Sequence, residues 1–190
     1  SFLVDAKSGE IIRKFDEVNF ALNREVWDAG GKHWLIAVLP FASKKVMNGK
    51  GAVEGETPTK DAREAWEQAG KVYNYYKDKF NRDSYDGKGA VLKMYVNIGN
   101  CGNAFWSQLF KSMFFCNSYA EGIDIVAHEL THAVTTSTAR LEGFNEAGAL
   151  NESYSDVFAA MMDNVEPWLI TVDPPGSDRT EDVRNLADPA

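Results

Sequence analysis

Two histidines and a glutamate stand together in His128-Glu129-Leu130-Thr131-His132, directly after an apolar run over residues 123–127. In a helix, a step of four residues turns a little more than one revolution, so His128 and His132 share a face one turn apart. Neutral imidazole is a good ligand for Zn2+, and two of them leave room for a third ligand and a water. Glu129, beside the first histidine, is placed to act on that water as a general base. The pattern predicts metal-assisted hydrolysis. The chain has three histidines, and two of them fall in this motif. The third, His33, has no potential ligand around it and reads as structural or solvent-exposed.

A third ligand must come from elsewhere. Asn151-Glu152-Ser153-Tyr154-Ser155-Asp156 runs on into an apolar segment, and Glu152 and Asp156 are four apart, on one helical face. Two antiparallel helices joined by a loop would set that face against the histidine pair. Glu152 would then complete a His2Glu set with an open fourth position, the arrangement of a catalytic zinc. Asp156 would accept the remaining ring N–H of a ligand histidine and fix its tautomer. The alternative is an ordinary solvated acidic face.

With Glu152 twenty positions after His132, the pair of motifs resembles the thermolysin family of zinc endopeptidases. Residues 122–135 resemble that family's active-site helix, and residues 148–158 its glutamate helix. Asn103-Ala104-Phe105-Trp106 resembles its substrate-binding edge strand, and residues 72–87 a helix and turn of its N-terminal domain. The resemblance implies zinc ligands at His128, His132 and Glu152, a general base at Glu129 and a supporting carboxylate at Asp156. It also implies that Asn103 and the backbone of Ala104 hold a peptide or protein substrate as an added strand. Arg184 matches an arginine that binds a substrate carbonyl, against the alternative of a surface charge. An apolar pocket beside Ile125 and Val183 would favour a hydrophobic residue after the scissile bond. The resemblance further implies secretion. Cys101 and Cys116 flank the edge-strand segment, and a disulfide across a hairpin base there is favoured over two buried thiols.

Three departures from the family pattern stand out. Gly143 occupies the position, eleven after His132, where the family has a tyrosine that stabilises the oxyanion. The family's further histidine would lie beyond Ala190: either a second polypeptide supplies the C-terminal region as a partner, or that region was removed, or the chain is a reduced variant of the family. Asp124 and Asp163 match two calcium ligands, but the acidic loop after them is shortened to residues 164–169. One Ca2+ site at most is expected, with surface or helix-end roles as the alternative. These departures keep a second reading open: a zinc-binding, protease-like module with weak activity or none, acting through binding.

The elements that must position these residues follow from pattern and composition. With 44% apolar residues and 190 positions, the chain can bury a core. A net charge of -8 argues against nucleic acid, and no apolar run reaches the ~20 residues of a membrane span. The spacing of Ala62, Ala65, Trp66, Ala69, Val72, Tyr73, Tyr76 and Phe80 predicts a long helix, with Pro58 in its first turn. Residues 90–98 and 34–41 read as strands, and residues 26–55 are otherwise poorly patterned. Residues 2–15 read as a hairpin turning at Lys7-Ser8-Gly9, either the end of a propeptide or an N-terminal strand pair. The expected fold is α+β: a strand-rich N-terminal region with one long helix, then the start of a mainly helical domain. The active-site helix would lie at the junction. The expected division is 1–19 for the hairpin, 20–122 for the α+β domain and 123–190 for a partial helical domain.

Overall fold

The computed structural model describes residues 2–4, 11–14, 22–141, 143–163, 169–171 and 183–185. The elements are β1 (Phe2–Val4), β2 (Ile11–Lys14), β3 (Arg24–Asp28), α1 (Trp34–Ala37), β4 (Lys44–Asn48), β5 (Gly51–Ala52), α2 (Lys60–Phe80), β6 (Leu92–Ile98), β7 (Ala104–Ser107), β8 (Ser112–Cys116), α3 (Ile123–Thr138), α4 (Asn145–Met162), β9 (Leu169–Thr171) and β10 (Val183–Asn185). The fold is α+β, as expected. β1 and β2 form the predicted antiparallel hairpin, while its turn at residues 7–9 lies outside the described residues.

Six strands form one mixed sheet in the order β5-β4-β3-β6-β8-β7. β6 is parallel to both β3 and β8, whereas β7 returns antiparallel to β8 as the edge of the sheet. β6 alternates strictly, with Leu92, Met94, Val96 and Ile98 buried, which is why it was legible as a strand. On one face lies α2, which buries Ala62, Ala65, Ala69, Val72, Tyr73 and Tyr76. Its small residues let the helix approach the sheet closely. The Arg24 guanidinium fills the remaining space: it donates to the Trp66 carbonyl and lies 3.4 Å from the centre of the Trp66 ring. A Cβ at Gly70 would meet that guanidinium, so glycine there lets Arg24 keep its place over Trp66. Thr59 caps the helix by accepting from the Ala62 N–H at 3.3 Å, so Pro58 sits just before the cap rather than inside the first turn.

The segment 34–41 is not a strand. Trp34–Ala37 forms a single helical turn capped by His33, whose Nδ1 accepts from the Leu35 N–H, and His33 is exposed as expected. The reason lies on the second face of the sheet. Tyr95, Phe114 and Phe105 stack there across three adjacent strands, with centroids 5.0 and 4.9 Å apart. Trp34 packs edge-on against Phe105 at 5.5 Å. A turn of helix delivers that ring, and a continued strand would not. Residues 26–55 also contain β4, β5 and the end of β3, which pattern did not reveal.

α3 and α4 form a packed helical pair, and α3 also rests on α2. One buried cluster runs from Val26 through α2 and the sheet to Ala127, Leu130, Ala159 and Met162. The N-terminal half of α2 anchors the approach to α3: Asp61 accepts from the Ser118 N–H at 2.7 Å, and Lys60 pairs with Glu121 at 2.7 Å. Further along, the Tyr76 hydroxyl meets the Thr131 hydroxyl at 2.7 Å, inside the motif itself.

Candidate active site

α3 carries His128, Glu129 and His132, and α4 brings Glu152 across to them. The two histidine Nε2 atoms are 2.9 Å apart. The Glu152 oxygens lie 3.2 Å from Nε2 of His128 and 3.4 Å from Nε2 of His132. Both outer ring nitrogens are held. Nδ1 of His128 is 2.9 Å from Asp156 Oδ1, and Nδ1 of His132 is 3.1 Å from both Asn151 Oδ1 and Ser155 Oγ. With Nδ1–H donated outward to Asp156 and Asn151, each Nε2 presents a lone pair to the other. Two such lone pairs and a carboxylate repel one another unless a cation sits among them. Ligands about 2.0–2.1 Å from a tetrahedral zinc stand ~3.3 Å apart, close to the separations here, so the residues fit that ion. Among the described residues this is the one group of three or more His, Cys, Asp or Glu side chains whose ligand atoms converge.

The electrostatics agree. Burial lowers the His128 imidazolium, but its bonds to Asp156 and Glu152 and the charge of Glu129 outweigh that and raise it to about 9. His132 is pushed down by burial and by His128 beside it. The centre attracts one positive charge and resists a second.

A cavity of about 450 Å3 opens over this group. Asn103, Ala104, Phe105 and Trp106 form one wall, and His128, Glu129, His132 and Glu152 lie opposite. Among the described residues β7 is the edge strand of the sheet, so its outer side is open there to a further strand. Gly143 also lines the cavity, and nothing lies within 4 Å of where its side chain would begin. Ile125 lines it too, together with Tyr119, Thr136 and Leu141. Arg184 pairs through its backbone with Ile170, but its side chain, like that of Val183, lies outside the described residues.

Asp124 and Asp163 join no such cluster among the described residues. Asp124 is buried in the first turn of α3, where its carboxylate accepts from the Ile125 N–H at 2.9 Å and complements the helix dipole. Asp163 ends α4. The residues 164–168 that follow lie outside the described residues. Sequence reasoning missed Asn151, which also accepts from the Thr135 hydroxyl. Its position one before Glu152 and four before Ser155 was the available signal.

Residues 19–136 match the model of the thermolysin metallopeptidase catalytic domain. The chain belongs to the thermolysin metallopeptidase family. It is 35% identical to bacillolysin from Brevibacillus brevis, in an alignment covering all of this chain and 41% of that protein. It is 40% identical to thermolysin from Alicyclobacillus acidocaldarius subsp. acidocaldarius over 64% of this chain and 24% of the relative. Among solved structures, the precursor of protealysin, a metalloproteinase from Serratia proteamaculans, superposes with a TM-score of 0.61. That likeness has 32% identity and covers 74% of this chain and 43% of the other. The chain thus spans less than half the length of these thermolysin-family relatives.

Proposed function

We propose that this chain carries the centre of a zinc-dependent endopeptidase, with His128, His132 and Glu152 as the metal ligands and Glu129 as general base. The observation that supports it best is the convergence of both Nε2 atoms and the Glu152 carboxylate, with each outer ring nitrogen tied to Asp156 or Asn151. Bound zinc would polarise the scissile carbonyl and make the attacking water acidic. The Glu129 carboxylate takes that water's proton and passes it to the leaving nitrogen. The peptide lies along β7 as an added strand, oriented by Asn103 and the Ala104 backbone. Ile125 offers an apolar wall to the residue after the scissile bond, and Arg184 would bind a substrate carbonyl. In this reading residues 20–122 supply the substrate wall and 123–190 the metal site, with residues 1–19 as a propeptide-like hairpin. The Cys101–Cys116 disulfide suits an oxidising compartment and supports secretion. Among the described residues, no helix is long and apolar enough to cross a membrane.

Gly143 favours a second reading. It leaves a gap in the cavity wall where the family places a hydroxyl donor, and losing one such donor typically slows acyl transfer ~10²–10³-fold. A weakly active module that acts by binding peptides would have this wall. Zinc content and peptide cleavage of the wild-type chain and Glu129→Gln separate the two. The enzyme reading expects zinc in both and a ~10²–10⁴-fold slower variant. Equal cleavage by both, with zinc bound, would leave the binding module.

A further inference from the structure

We propose that the Cys101–Cys116 disulfide positions the peptide-receiving strand, so that opening it weakens peptide binding and leaves the metal centre intact. The inference rests on the reading of β7 as the peptide's partner. Cys116 ends β8 and is 1% exposed. It grips Asn103 from both sides: its N–H donates to the Asn103 carbonyl at 3.0 Å, and its sulfur accepts from the Asn103 N–H at 3.2 Å. Asn103 leads directly into β7. Residues 99–103, between β6 and β7, form no regular element and include two glycines and Asn100 at φ 55°. One of their ties to the sheet is thus a weak N–H to sulfur bond. Backbone bonds hold its two ends, Gly99 to the Lys32 carbonyl and Asn103 to Cys116, and the covalent link from Cys101 fixes the stretch between them. The candidate metal ligands and their partners Asn151 and Asp156 stand on α3 and α4 and bond to one another.

The two sulfurs differ in access. Cys101 is exposed and Cys116 buried, so a reductant attacks at Cys101. With a water-soluble phosphine, phosphorus attacks the Cys101 sulfur and the S–S bond breaks. Cys116 leaves as a thiolate and takes up a proton. Water then releases the Cys101 thiol, and the phosphine departs as its oxide. With the link open, residues 100–102 keep only the bonds at their two ends, and ordering them each time a peptide binds is an entropic cost that falls on KM rather than kcat.

The test uses the full chain loaded with zinc, and a phosphine because dithiols strip zinc. KM and kcat for a fluorogenic peptide, zinc content, and the dissociation constant of an uncleavable peptide are measured before and after reduction. Reduction is expected to raise KM roughly threefold to tenfold, with kcat and zinc content unchanged. Reoxidation restores the original KM, and Cys101→Ser matches the reduced protein and ignores the phosphine. An unchanged KM with the disulfide shown open by mass overturns the proposal, as does a fall in kcat together with zinc. If the protein cleaves nothing, the endopeptidase reading fails alone, provided reduction still weakens the uncleavable peptide. Binding that reduction leaves unaltered overturns the clamp, and absence of peptide binding in either state overturns both.

Discussion

At the scale of single residues, the side chains behind the histidine rings matter alongside the candidate ligands. Asp156 and Asn151 decide which nitrogen of each ring faces inward. Asp156→Asn keeps the shape but weakens the acceptor, and zinc affinity is expected to fall ~10–100-fold in a competitive chelator titration. An undiminished affinity would show that the helix pair alone fixes the rings. His128 also links the centre to pH. Its folded value of about 9 lies above the ordinary 6.5. In the metal-free chain the resulting stabilisation is therefore complete below pH ~6.5 and lost as pH rises through about 9. Melting temperatures of the metal-free protein should fall across that window. With zinc in place of the proton the fall should disappear, and equal slopes in both forms would contradict this account.

At the scale of elements, the helices that face one another were legible and the contacts between distant segments were not. α2 and β6 announce themselves by period, and His128, Glu129 and His132 by one helical turn. β3, with Arg24, Glu25 and Asp28 in five residues, looks like a poor strand. It becomes one through parallel pairing with β6, a partner far away in the chain. Asn151, Tyr119 and Leu141 reach the cavity only because elements meet there, so no local period marks them. The close seat of α2 on β3 is open to a direct check. Gly70→Ala puts a methyl against the Arg24 guanidinium, which must shift, while alanine favours the helix by about 1 kcal/mol, so a net cost of up to about 2 kcal/mol is expected in urea unfolding. A net gain of about 1 kcal/mol would mean that Arg24 can leave its place over Trp66 at no cost.

At the scale of the whole molecule, the two walls of the cavity have different origins. β7 pairs with β8, its neighbour in the chain, but that hairpin joins the sheet only through β6, which runs parallel to both β8 and the distant β3. The candidate ligands and their supports all fall between His128 and Asp156, on two helices adjacent in the chain. Contacts of short sequence separation close faster than long-range sheet pairings. In stopped-flow refolding with a zinc indicator and a labelled peptide, metal capture is expected to precede peptide binding. Simultaneous recovery would mean that the helix pair needs the sheet beneath it. The feature behind this is the packing of α3 against α4 as immediate neighbours in sequence. On a ribosome it would give the emerging chain its substrate wall first in order of synthesis, but its metal centre first in order of assembly.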